Sequence, residues 1–181
     1  MKPAACSNTS RKTRGPEIAR RLAASALLIL AALPAGAQTP NVERGRYLAS
    51  IMDCGGCHAP RDAKGVPVPG AGLSGGTVGF EVPGLGVFWP PNLTPHDTGL
   101  GGWTTGDIIA AIRSGKRPDG RMLAPVMPFA NYAHLTDEDA AALAAYLQSL
   151  EPVNHQVPPP AGPGVDTPAP EPVFRFVAPQ D

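Results

Sequence analysis

The sequence predicts a mostly α fold of three to four short helices joined by long Gly/Pro-rich loops. Three observations carry that reading. Apolar residues recur at helical spacing in three separate stretches, near 41–53, 104–115 and 136–150. Between Gly65 and Gly102, Gly or Pro stands at 17 positions, a density that forbids long helices and favours turns and extended pieces. The first helical stretch runs directly into Cys54-Gly55-Gly56-Cys57-His58, a motif that implies a bound group for short helices to gather around.

Each element has a local reason. Asn41 is a natural N-cap for residues 41–53, where Val42, Leu48, Ile51 and Met52 form an apolar stripe. Residues 61–102 read as an irregular loop, yet Phe80, Val82, Leu85, Val87, Phe88 and Trp89 are too apolar for a disordered linker. Long structureless loops are uncommon in compact domains, so this one is expected to fold over the bound group. A helix resumes near Thr104 or Thr105, with Asp107 in its first turn, Ile108, Ile109 and Ile112 on one face, and Gly115 as its stop. A Pro-rich loop occupies 118–128. Thr136 and Asp139 are a near-match to a capping box, Asp137 and Glu138 suit the positive helix end, and Leu143, Tyr146, Leu147 and Leu150 repeat at i, i+3, i+4, i+7. From Pro152 onward 11 of 30 residues are Gly or Pro and apolar periodicity vanishes, so that tail is expected to be extended and largely unpacked.

Cys54, Cys57 and His58 make the C-x-x-C-H arrangement of covalent haem attachment. Each thiol can add across one porphyrin vinyl group, and the adjacent imidazole then lies under the iron as a proximal ligand. Gly55 and Gly56 keep the turn free of side chains, so that the backbone can approach the macrocycle. The same pair of thiols can serve as a dithiol switch or as half of a zinc site. A structural zinc site needs a second ligand pair, and His96, His134 and His155 stand singly. A dithiol switch is expected beside a βαβ pattern, which the chain does not show.

Residues 1–37 read as an export signal. Arg11, Lys12, Arg14, Arg20 and Arg21 form a positive leader, Leu22 to Leu33 a short apolar run, and Ala35-Gly36-Ala37 a small-residue cleavage site. The run is about a dozen residues, against the roughly 20 a membrane helix needs. Export implies a periplasmic location, with any membrane contact made through partners or an uncleaved leader. Cys6 would leave with the signal, and both remaining cysteines are then committed to haem. Three segments result: the signal 1–37, a single domain 38–151, and a Pro-rich extended tail 152–181. The formal charge of zero hides an asymmetry, because residues 38–181 carry nine basic and fourteen acidic residues, a net of −5. That balance argues against nucleic acid as a partner.

The second axial position decides between electron transfer and small-molecule chemistry. Met122, Met127, His96 and His134 are the candidates, and Met52 lies too near the motif to reach the opposite face easily. A thioether is a soft ligand that favours ferrous iron and raises the potential. His96 sits in a polar turn and reads as an exposed loop residue, His134 precedes a helix cap, and His155 lies in the tail. Trp103 is placed either to donate its indole N–H to a haem propionate or simply to pack in the core. Arg113, Lys116, Arg117 and Arg121 cluster within nine positions, as a solvated helix end or as a docking patch for an acidic redox partner. The sequon at Asn92-Leu93-Thr94 is expected to carry no glycan.

The order helix, C-x-x-C-H, irregular loop, helix, Met-Pro loop, terminal helix resembles the class I cytochromes c across residues 41–151. The stretches that carry the likeness are Glu43-Arg44-Gly45-Arg46-Tyr47-Leu48, Pro90-Pro91-Asn92-Leu93-Thr94-Pro95, Gly99-Leu100-Gly101-Gly102-Trp103, Arg117-Pro118-Asp119-Gly120-Arg121, Pro125-Val126-Met127-Pro128-Phe129 and Leu143-Ala144-Ala145-Tyr146-Leu147. It is most similar to the bacterial single-haem cytochromes found with periplasmic or membrane-bound dehydrogenases. The resemblance implies short helices wrapped around one covalent haem c. It makes Met127, in its Met-Pro-aromatic run, the ligand opposite His58, and a proline carbonyl, from Pro90 or Pro91, the partner of the proximal imidazole. It also pairs Gly45 with Tyr146 where the first and last helices cross. The implied function is one-electron transfer from a dehydrogenase to a cytochrome or oxidase, with no bond chemistry of its own. Alternatives are a haem subunit fixed in a dehydrogenase complex, strapped by the tail, and a haem enzyme or gas sensor with an open distal site.

Overall fold

In the computed structural model, residues 41–163 and 172–175 are described. The expected leader therefore lies outside the described residues. Helix α1 spans Val42–Ile51, and the Asn41 side chain caps it by accepting from the Arg44 N–H at 3.0 Å. After a single linking turn, α2 spans Cys54–His58. Helix α3 spans Thr105–Ser114 under a complete capping box between Thr104 and Asp107. Gly115 ends it at φ 72°, and a Cβ there would also sit 2.9 Å from the Phe129 ring, so both backbone and packing require glycine. A one-turn helix α4, Phe129–Tyr132, follows the Pro-rich loop, and α5 spans Asp137–Gln148. The described residues thus hold five helical segments; the two beyond the periodic stretches are α2 and α4, too short to carry a periodicity.

Helices α1 and α5 form the main packing pair. They meet at Gly45, where a Cβ would collide with the Ala142 carbonyl and lie 2.6 Å from Tyr146 Cβ. The expected Gly45/Tyr146 crossing is therefore present. The Arg44 guanidinium closes the same junction on Asp139 through two hydrogen bonds of 2.8 and 3.1 Å. That pairing draws the Asp139 carboxylate away from the helix end. Thr136 still caps α5 by accepting the Asp139 N–H at 3.1 Å, so the near-match functions as a one-way cap. Leu48, Leu73, Leu100, Ile108, Ile112, Leu143 and Leu147 make the buried core, with Met52, Trp103, Tyr132 and Leu150 packed on its margin.

Two expectations change. The loop 61–102 contains a hairpin of β1 (Gly79–Val82) and β2 (Gly86–Phe88), antiparallel, with Phe80 opposite Phe88 and Glu81 opposite Val87. Pro83 and Gly84 build its turn: Leu85 N–H bonds Val82 C=O at 3.0 Å, and Gly84 stands at φ 76°, the positive value a Pro-Gly type II turn requires. The tail is extended as expected but not unpacked. Ala161 bridges Val87, and β3 (Val173–Arg175) adds in parallel to β1, giving the order β2-β1-β3. Extended Pro-rich chain has unspent carbonyls and N–H groups, and here folded loops with unpaired edges take them up.

Candidate haem site

The short helix α2 places the motif. Asp53 precedes it at φ 54°, the one non-glycine residue with positive φ among those described, a conformation Asp tolerates. Its carboxylate lies over Gly56, where a Cβ would come 2.6 Å from Asp53 Cγ, whereas a Cβ at Gly55 would meet only Leu73 at 3.9 Å. A side chain at Gly56 would displace the Asp53 carboxylate, while Gly55 has room for one. Arg61 pins the end of the turn, donating to the Gly56 carbonyl at 3.3 Å and to the Gly65 carbonyl at 2.8 Å.

His58 is 6% exposed. Its Nδ1 lies 2.8 Å from the Pro91 carbonyl oxygen, which decides between the two expected prolines. A carbonyl only accepts, so Nδ1 carries the proton and Nε2 holds the lone pair. Burial pushes the imidazole below its usual range, which favours the neutral, ligating form; the Pro91 carbonyl acts weakly the other way. Nε2 has no hydrogen-bond partner among the described residues. The His58 carbonyl is held as well, by the Gly75 N–H at 2.8 Å.

Cys54 is half-buried and Cys57 exposed, and neither is in a disulfide. Burial, with Asp53 nearby, pushes the Cys54 thiol up to about 11 and the Cys57 thiol upward too. A dithiol switch needs the opposite, a lowered thiol that forms thiolate near neutral pH. No group of three or more His, Cys, Asp or Glu among the described residues is placed to hold a metal ion, so the zinc reading gains no support. Two free thiols and a neutral imidazole with its Nε2 lone pair unspent form the donor set that covalent haem needs, and the residues fit that group.

The distal candidates separate. Met122 is 59% exposed, on a bridge that pairs it with Lys116. Met127 is half-buried in a tight turn, its N–H on the Ala124 carbonyl at 3.0 Å and its own carbonyl on the Phe129 N–H at 2.8 Å. His96 is half-buried rather than exposed, and its Nδ1 accepts the Thr98 N–H at 3.1 Å, an Asx-like use within its own turn. His134 is exposed. Met52 closes α1, and its carbonyl accepts from the Tyr132 hydroxyl at 3.1 Å.

Trp103 packs on the core margin with the Arg117 guanidinium 5.4 Å over its ring. The basic cluster is partly compensated: Arg113 pairs with Asp137 at 2.6 Å, and Arg117 and Arg121 share Asp119 at 3.4 and 2.7 Å. Lys116 alone of the four has no ion pair among the described residues. Two carboxylates against four cations leave about half of the positive charge that a docking patch would project.

Sequence reasoning missed a buried polar network. Asn92 and Thr94 are fully enclosed and bond one another, and His155, read as a bland tail residue, donates from Nδ1 to the Ser74 carbonyl at 2.8 Å. Its signal was present: a polar Asn-x-Thr set between prolines, which reads as a sequon and as part of a family-like stretch but not as a buried network. Burial of the Asn92 amide agrees with the expected lack of a glycan.

A covalent porphyrin site on a short turn, a buried imidazole held by a proline carbonyl and two crossed helices behind it define a haem-attachment domain. Residues 42–151 match the cytochrome c family, and the chain belongs to it. It accordingly carries one haem c joined through two thioethers, and the domain serves electron transfer. Over 128 residues, 69% of the chain, it is 39% identical to the fructose dehydrogenase cytochrome subunit of Gluconobacter japonicus. It is 37% identical over 118 residues to a diheme cytochrome c-type protein of Cereibacter sphaeroides, and 37% identical over 106 residues to the gluconate 2-dehydrogenase cytochrome c subunit of Pantoea cypripedii. Those matches cover 63% and 58% of this chain. The chain spans 24%, 38% and 22% of the length of these three relatives.

Proposed function

We propose that this chain is a periplasmic one-electron relay whose haem iron is held between His58 and Met127. A dehydrogenase is its donor and a further cytochrome or an oxidase its acceptor. The observation that carries the reading is the His58 imidazole, buried, neutral and locked with Nδ1–H on Pro91, so that only Nε2 faces outward as a ligand. The haem supplies the one-electron couple. The residues of the chain do the rest: the Pro91 carbonyl orients the imidazole and raises its basicity, the core helices exclude water behind it, and the Pro125–Phe129 turn holds the Met127 thioether with little freedom to reorganise. Met127 is supported by its half-buried turn and by the contrast with the exposed Met122.

A second reading, a subunit fixed in a dehydrogenase complex, is favoured by the relatives, two of which are named as cytochrome subunits of dehydrogenases. Both readings use the same haem site, and they differ in whether the protein leaves its donor. No helix among the described residues is long and apolar enough to cross a membrane.

The visible spectrum of the ferric protein beside Met127→Ala tests the ligand pair. A weak long-wavelength iron–sulfur band in the parent, absent from the variant, is the expected result. No such band in the parent, with ready carbon monoxide binding to the reduced form, would move the reading to an open-site enzyme or sensor. Gel filtration after mild extraction then separates relay from subunit, since a fixed subunit elutes with dehydrogenase activity.

A further inference from the structure

We propose that Val153–Val157 is an internal strap that holds both backbone points anchoring His58, with Asn92 and His155 as positioning residues for the proximal imidazole. This rests on His58 being the proximal ligand. The two anchors are the Pro91 carbonyl on Nδ1 and the Gly75 N–H on the His58 carbonyl, and each has a neighbour gripped by the strap. Asn92, next to Pro91, is 0% exposed and spends its full complement of four hydrogen bonds. Its Oδ1 accepts from the Thr94 N–H at 2.9 Å and the Thr94 hydroxyl at 2.8 Å, while its Nδ2 donates to Thr98 Oγ1 at 3.0 Å and to the Val153 carbonyl at 2.8 Å. The Val153 N–H returns to Thr94 Oγ1 at 3.1 Å, closing the ring.

Ser74, next to Gly75, is gripped by the other end. His155 Nδ1 donates to its carbonyl at 2.8 Å, and the His155 N–H reaches Thr98 Oγ1 at 3.3 Å. Val157 closes over Gly75, where a Cβ would stand 2.6 Å from Val157 Cγ1. The two gripped segments are also tied to each other, Gly76 N–H to the Pro90 carbonyl and Leu93 N–H to the Leu73 carbonyl, each at 2.9 Å. Hydrogen bonds in such a closed, partly buried network support one another, and the loss of one strap contact loosens both anchors together. A slacker Nδ1–H···O=C bond makes the imidazole less basic and favours ferrous iron, so the reduction potential should rise.

The experiment reads the Nδ1 proton of His58 directly, by proton NMR of the reduced holoprotein, together with the midpoint potential. The variants are His155→Ala and Asn92→Ala, with Arg44→Ala as a control that loses an ion pair remote from the strap. The expected result is at least tenfold faster solvent exchange of that proton in both strap variants, with a higher potential, while Arg44→Ala leaves both unchanged. His155→Ala removes a single side-chain bond and is expected to fold even where Asn92→Ala does not, so it alone suffices as a test. Unchanged exchange and potential in His155→Ala, or an equal change in Arg44→Ala, would overturn the strap. A parent spectrum in which the His58 proton lacks the ring-current shift of a haem ligand would overturn the proximal assignment itself, a failure visible before any variant is made.

Discussion

The proposed proximal side, around His58, and the proposed distal side, around Met127, are built to different standards. Around His58 one segment, 90–94, holds the ring through the Pro91 carbonyl, and a second, 74–76, holds the His58 carbonyl. A third, 153–157, ties those two together with hydrogen bonds between residues up to 81 apart in sequence. Around Met127 the bonds are local: Met127 to Ala124, Phe129 to Met127, Arg117 to Arg121, with only the Leu123 N–H reaching back to the Gly115 carbonyl. Its charged contacts are surface pairs, worth little in water. The difference teaches where the chain itself stores order. The proposed proximal ligand His58 is set by protein contacts that exist in the polypeptide, whereas the loop carrying the proposed ligand Met127 takes its ends from the fold and its middle from short turns.

Four measurements can break or sharpen that contrast. The largest effect should come from Asn92→Ala, which strands buried donors and acceptors and is expected to cost about 2–3 kcal/mol in denaturant unfolding. A loss below about half a kcal/mol would mean the proximal network is not the rigid half. Gly45→Ala, in the helix crossing beneath both sides, should cost about 1–3 kcal/mol by overpacking and leave the visible spectrum as it is. In the distal loop Met122→Ala should stay within about 0.5 kcal/mol, because the side chain is largely in water; a larger loss would show that Met122 is engaged after all.

The smallest effect concerns pH. Hydrogen bonding to Arg121, with Arg117 nearby, lowers the Asp119 carboxyl from 3.8 to about 2. A depressed folded-state value means the contact contributes fully above the unfolded value and is lost as pH falls through the folded one, between about 4 and about 2. A carboxyl NMR titration should therefore find Asp119 near 2 in the parent and nearer 3.8 in Arg121→Gln. No difference between the two would remove the one charged brace of the distal loop.

Much of this was legible in the residues. C-x-x-C-H declares its chemistry by spacing alone, since two thiols and an imidazole that near in sequence must be near in space. The three long helices carried their own signals, from the Asn41 cap and Asp107 in a first turn to the Gly115 stop and the Thr136 cap, because caps and periodicity are satisfied within a few residues. Gly45 opposite Tyr146 was legible only through the family likeness, as neither residue announces a crossing by itself.

Tertiary structure alone decided the rest. Pro91 rather than Pro90 holds the imidazole, a choice that depends on how the 90–94 segment lies against α2. The hairpin at 79–88 escaped a reading based on Gly and Pro density because its strands are three and four residues long, too short for alternation to stand out. The tail looked unpacked because Pro-rich chain lacks an apolar face, yet packing needs no such face where backbone groups can be exchanged between segments. His155 meets Ser74 and Asn92 meets Val153 for that reason. Local physics determined which residues bear the haem chemistry; the long-range pairing of polar groups, invisible to any short window, decided how firmly they are held.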